Sequence, residues 1–97
     1  MAKYIGCVEH EDGRIKKLRV YESKEWKTKD RKTVVSEIDD SKTEYYTWYY
    51  NPKTEKYESG SRVNVVWVNR VAFLRTDRNN YAADNLGSLP ALDRCPF

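Results

Sequence analysis

The run Glu44 to Tyr50, EYYTWYY, constrains this chain more than any other segment. Tyr, Trp and Thr favour the pleated strand, in which successive side chains point to opposite faces. Tyr45, Thr47 and Tyr49 therefore share one face, and Tyr46, Trp48 and Tyr50 the other. Large rings on both sides of one strand call for a covering layer on both sides. A chain of 97 residues makes one domain with a modest core. Some of these rings are therefore expected to stay accessible.

The segments around this strand read as further strands. Lys3 to Glu9 alternates, and His10-Glu11-Asp12-Gly13 follows. Asp-Gly signals a tight hairpin turn, because glycine adopts positive φ without steric cost. Arg14 to Glu22 returns, with Leu18 and Val20 on one face and Ile15, Lys17, Arg19 and Tyr21 on the other. Ser23 to Lys32 is polar and dense in charge, which suggests an exposed connection. Val34, Val35 and Ile38 then fall on one helical face, predicting a short helix near 33–40 with Asp30 or Thr33 as its N-cap, and a strand is the alternative because Val34-Val35 favours it. After the aromatic strand, Asn51-Pro52-Lys53-Thr54 is a turn, and Lys56 to Glu58 returns briefly. Arg62 to Val68 and Val71 to Thr76 form a second hairpin across Asn69-Arg70. The tail is expected to contain one helical turn near 82–86 and then to run extended.

The order β-β-α-β-β-β predicts an α+β fold, a small and mainly antiparallel sheet of about five strands with one helix packed on it. It forms a single domain over 1–97, with 77–97 as an irregular tail. Ile5, Leu18, Val35, Ile38, Val65, Phe73 and Leu74 are the expected core.

Charge says little about a partner. Eighteen Lys and Arg face fifteen Asp and Glu, a net +3 with the signs interspersed. A strong nucleic-acid binder usually carries a clustered basic face. The first residues do not resemble a secretory signal, and no apolar run approaches the roughly 20 residues of a membrane span. This predicts a cytoplasmic protein in which Cys7 and Cys95 remain ordinary thiols, Cys7 packed as a small apolar residue.

The pattern Phe73-Leu74-Arg75-Thr76, then Asp84-Asn85-Leu86, then Leu89-Pro90 resembles the end of a short bacterial and phage domain family of unknown function. The strand, Asp-Gly turn and strand at the start resemble that family too. The middle departs from it, being richer in aromatic residues. The resemblance implies a microbial or mobile-element origin and carries over no catalytic residue.

Catalysis finds no constellation. His10 is the one histidine, and general acid–base or nucleophilic chemistry needs a positioned pair. Two distant cysteines and one histidine do not complete a zinc site. No glycine-rich loop leads into a helix to cradle phosphate. The expectation is a binding module, not an enzyme, with no cofactor and no metal. Candidate binding residues are Tyr45, Trp48 and Tyr49 on the aromatic strand; Trp26, Lys27, Lys29 and Arg31 in the basic stretch; and Arg75. Arg75 suits either a phosphate clamp or a pin holding the tail through Asp84. Two functional classes remain open. One is a phage or mobile-element protein that binds a host protein or small ligand, with a homodimer through the aromatic strand as the first expectation. The other is a nucleotide or nucleic-acid binder that combines stacking rings with the basic stretch.

Overall fold

The computed structural model describes residues 2–76, 84–87 and 89–97. Among these, the chain forms β1 (Lys3–Glu11), β2 (Arg14–Glu22), β3 (Glu25–Asp30), α1 (Arg31–Asp39), β4 (Tyr45–Asn51), β5 (Lys56–Arg62), β6 (Asn64–Val68), β7 (Val71–Arg75) and a short 3-10 turn at Leu92–Arg94. The expected α+β class holds. Five strands lie in the order β3-β2-β1-β4-β5, and β6 and β7 make a separate two-stranded sheet. Every neighbouring pair is antiparallel except β1 and β4, which run parallel over Lys3–Ile5 and Tyr45–Thr47.

Local chemistry accounts for most of these elements. Asp12 and Gly13 have φ of 51° and 77°, and Asn69 and Arg70 have φ of 50° and 68°. Two successive positive φ values match the twist of the flanking strands, so both hairpins close tightly. Asp30 caps α1, its Oδ1 accepting from Thr33 N at 2.8 Å. Val34 is the fully buried residue of that helix, while Val35 and Ile38 pack partly buried against the core.

The residues expected to form an exposed connection build a strand instead. Ser23 and Lys24 make the turn with φ of 50° and 66°, and β3 pairs with β2 from Glu25 to Asp30. As an edge strand, β3 tolerates the charged sequence EWKTKD, and charge on an edge discourages pairing with other chains. The return expected at Lys56 extends to Arg62, with an irregularity opposite Thr47 where Gly60 admits the threonine hydroxyl. A Cβ on Gly60 would lie 2.2 Å from Thr47 Oγ1.

One core lies between the sheet, α1 and the β6–β7 hairpin. It joins Ile5, Val8, Leu18, Val20, Val34, Tyr45, Val63 and Leu74, with Leu86 and Leu89 of the tail packed in. Phe73 is also buried. Ile15 belongs to this core and not to the outer face, because the pairing slips between Glu9 and His10 and turns Ile15 inward.

The tail is tied down at several points. Asn85 pairs in parallel with Arg75, donating its N–H to Leu74 O at 2.8 Å and accepting from Thr76 N at 2.9 Å. The expected helical turn near 82–86 falls partly outside the described residues, and at 84–86 the chain is extended. Farther on, Val8 N donates to Pro90 O at 3.1 Å. Cys7 and Cys95 are joined by a disulfide across 88 residues, which corrects the expectation of two free thiols. Their Cα atoms lie 5.9 Å apart, within bridging distance, because the tail folds back across β1. Among the described residues no helix is long and apolar enough to cross a membrane.

Candidate functional site

Residues directly paired across a sheet point to the same face. Val20 and Leu18 point to the core, so their partners Lys27 and Lys29 do too. Tyr21 points the other way, and so does its partner Trp26. The basic stretch is thereby divided. Trp26 lies on one face of the sheet, and the two lysines expected to assist it lie on the opposite one.

On the helix side the lysines are committed to carboxylates. Lys29 Nζ sits against Glu22 and 2.8 Å from Glu37 of α1. Lys3 joins the same pair at 3.2 and 2.8 Å, and Lys27 reaches Glu22 at 3.5 Å and Glu25 at 3.3 Å. Burial works against charge on Glu22, but hydrogen bonds and charge from Lys29 and Lys3 outweigh it and hold its carboxyl down at about 2. Burial likewise opposes ionisation of Glu37, and the same two lysines and the Tyr45 hydroxyl lower it nonetheless.

Tyr45 is fully buried and donates its hydroxyl to Glu37 at 2.9 Å. Burial first, and the hydrogen bond to Glu37 second, push its phenol up. It is a core residue, which corrects its place among the accessible rings. Thr47, next on that face, is buried as well, whereas Tyr49 farther out is exposed and stays a candidate.

Arg31 and Arg75 are also structural. The Arg31 guanidinium reaches Asp84 and donates to Ile15 O at 3.1 Å and to Ala72 O. Asp84, its side chain fully buried, accepts from Ile15 N at 2.7 Å and Leu74 N at 2.8 Å. One carboxylate thus links β2, α1, β7 and the tail. Arg75 is the partner expected for Asp84, and the guanidinium seated on this carboxylate is that of Arg31 at the start of α1. Arg75 is 5 % exposed and engaged within the protein. That depth suits a structural residue better than a clamp for an outside phosphate.

The opposite face of the sheet carries the rings. Among the described residues, Tyr4, Tyr21, Trp26, Tyr46, Trp48, Tyr50, Tyr57 and Phe97 form one continuous set of ring contacts. Tyr4 bridges Tyr46 and Trp48, with centroids at 6.5 and 5.1 Å. Trp48 stacks on Tyr57 at 6.5 Å, and Tyr57 meets Tyr50 edge-on at 5.3 Å. Phe97 stacks on Trp26 at 4.1 Å and 14°, and meets Tyr57 edge-on at 5.2 Å. Trp26 and Tyr57 belong to the two outer strands of the sheet. Since both touch one phenyl ring, the sheet curls around it and this face is concave.

Tyr50 and Tyr57 are 48 % and 41 % exposed, and Tyr49 is 40 % exposed at the rim. Two cavities open beside these rings. The larger, about 540 Å³, lies where β1 and β4 part company beyond Ile5 and Thr47, and is closed by Leu89, Pro90 and Phe97. The smaller, about 290 Å³, is lined by Tyr4, Tyr21, Trp26, Trp48 and Phe97. A surface of this kind offers stacking and apolar contact with phenol hydroxyls at its edges, and among the described residues it brings no acid–base pair to a common point.

Of the candidates read from sequence, the fold therefore brings Trp26 and Trp48 to one face, leaves Tyr49 on the other side of β4 where it borders the larger cavity, and withdraws Tyr45, Lys29 and Arg31 into internal contacts. Tyr4, Tyr21, Tyr57 and Phe97 were missed. For Tyr4 and Tyr21 a signal existed, since each alternates with a core residue, Ile5 and Val20. Comparison with protein-family models, with curated proteins and with solved structures gives no match. The functional reading accordingly rests on the chemistry of this face.

Proposed function

We propose that this protein is a non-enzymatic binding module whose concave, ring-lined sheet face receives a partner protein or a small ligand. The observation that carries the reading is the set of rings that spans all five strands, joined across the middle by Phe97, with Tyr50 and Tyr57 open to solvent. Large aromatic side chains on a monomer's surface are the usual anchors of protein interfaces, because they bury much area at little entropic cost. A second copy of the chain or a host protein fits this surface. β5 flanks β4 on one side and β1 flanks Tyr45–Thr47 on the other, so self-association would use ring faces more than the backbone of that strand. The C-terminal resemblance supports a bacterial or phage setting, where such a module would block or sequester its target.

Nucleic-acid binding is the second reading, and the distribution of charge weighs against it. Stacking surfaces for single strands lie in grooves that also carry the phosphate-binding cations. Here Lys27 and Lys29 sit on the other side of the sheet, in ion pairs with Glu22 and Glu37.

The test is affinity capture from the native host, with wild type beside a Tyr50→Ser/Tyr57→Ser variant that keeps its circular dichroism spectrum. The reading expects a partner retained by wild type at 0.5 M salt and lost by the variant. A partner that leaves with rising salt and is still held by the variant would overturn it in favour of phosphate contacts. A cytoplasmic location further requires a cross-link that cellular thiols can open, since disulfides are seldom stable there.

A further inference from the structure

We infer that the cleft over Gly6 is a receptor site for an aromatic side chain of a partner peptide, that the chain fills it with its own Phe97, and that the Cys7–Cys95 disulfide controls access to it. The inference rests on the ring-lined face being the binding surface. It adds what the face accepts and what gates it.

The site is built to hold a ring. Gly6 leaves open floor beneath Phe97: a Cβ there would lie 2.7 Å from Phe97 Cε2 and 3.0 Å from Trp26 Cη2. Trp26 provides a parallel wall at 4.1 Å and Tyr57 an edge-on wall at 5.2 Å. Arg19 Nε donates to the Phe97 carbonyl oxygen at 3.1 Å, while Arg19 Nη1 is steadied by Thr28 Oγ1 at 3.1 Å. Floor, two walls and a donor for the adjoining backbone oxygen together describe the footprint of a phenylalanine residue. Phe97 and Trp48 line both the 540 Å³ and the 290 Å³ cavities. Phe97 is therefore the partition between them, and its withdrawal joins them into one aromatic groove.

The disulfide keeps the partition in place. Beyond the Val8–Ala91 bridge with its Val8 N to Pro90 O hydrogen bond, the backbone bonds of this segment are internal, Arg94 N to Ala91 O and Cys95 N to Leu92 O. Cys95, two residues before Phe97, is fastened to Cys7 in β1. A ring tethered that closely competes at a high effective concentration with any ring from outside. A dithiol reductant would release it. One thiolate attacks the sulfur of Cys95, the partly exposed member of the pair, and the fully buried Cys7 leaves as thiolate and takes up a proton. The reductant's second thiol then displaces Cys95 as a free thiol, and the reductant departs as its own disulfide, having given up two electrons. The nearest backbone anchor of the segment then retreats to the Val8–Ala91 bridge, leaving Phe97 held, among the described residues, by its ring contacts and the Arg19 hydrogen bond alone, and the ring competes less well.

The probe is N-acetyl-phenylalaninamide, titrated into the full chain while the indole N–H resonances of Trp26, Trp48 and Trp67 are followed by NMR. Trp67, on β6 and outside both cavities, is the control. A ligand this small binds in roughly the millimolar range. The expected order of affinity is Phe97→Ala, then dithiothreitol-reduced wild type, then oxidised wild type, with about tenfold between reduced and oxidised protein. Trp26 and Trp48 should shift and Trp67 should not. A Cys95→Ser variant should behave as reduced wild type, which keeps the test decisive if Phe97→Ala folds poorly. Equal affinity in all states would overturn the gate while leaving the ring-lined face as a binding surface. Failure of the Cys95→Ser and reduced proteins to bind, or a shift at Trp67 alone, would overturn the receptor site itself.

Discussion

Replacing Arg31 with leucine should destabilise the fold by about 3–5 kcal/mol, because it strands a buried carboxylate. The side chain of Asp84 has no solvent exposure, and its positive partner is the guanidinium at the start of α1. The variant leaves Asp84 with two backbone donors, Ile15 N and Leu74 N, and removes the guanidinium seated on it. It also frees the carbonyls of Ile15 and Ala72 that Arg31 now satisfies. A domain of this length has a total stability on the order of 5–15 kcal/mol. The loss should therefore lower the melting temperature by on the order of 20 °C. Urea unfolding followed by circular dichroism measures it. Adding Asp84→Asn removes the charge that needs a partner, so the double variant should lose less than the sum of the two single losses. A cost below about 1 kcal/mol for Arg31→Leu would mean that Asp84 is not the electrostatic hub of the β2, α1, β7 and tail junction.

Three further outcomes follow from the same contacts. Tyr45→Ala should cost about 3–5 kcal/mol and Tyr49→Ser well under about 1 kcal/mol, since one ring fills the core and the other meets solvent; paired urea titrations compare them. Glu22 has its folded-state pKa lowered to about 2, so its contribution is present above its ordinary range near 4.5 and is lost as pH falls toward 2. Discounted for solvent screening, this is on the order of 2 kcal/mol, and Glu22→Gln should flatten the fall in urea midpoint between pH 5 and pH 2. Gly6→Val should displace Phe97 from Trp26 and change the tryptophan emission, while the secondary structure seen by circular dichroism persists.

Much of the fold was legible because its determinants are local. The Asp12-Gly13 and Asn69-Arg70 turns, the Asp30 cap and the alternation of EYYTWYY each act within a few residues. What the sequence hid depends on distant partners. EWKTKD looks like a loop until Glu22 and Glu37 are present to take its lysines, and its turn at Ser23-Lys24 uses positive φ without glycine or asparagine. Ile15 is assigned to the wrong face by simple alternation, because a slip in the pairing with β1 shifts the register. The site was partly visible. The aromatic strand drew attention to Trp48 and Tyr49, yet which of its faces is closed depended on α1 lying over Tyr45. Phe97 could not be placed without knowing that Cys95 meets Cys7.

The central claim is that the ring-lined face is where this protein meets its partner. Hydroxyl-radical footprinting of the free protein and of its complex with the captured partner tests it most directly. The claim predicts that Trp48, Tyr50 and Tyr57 lose reactivity in the complex, while Trp67 on the β6–β7 hairpin remains as reactive as in the free protein. Protection of Trp67 with Tyr50 and Tyr57 unchanged would contradict it and move the interface to the hairpin.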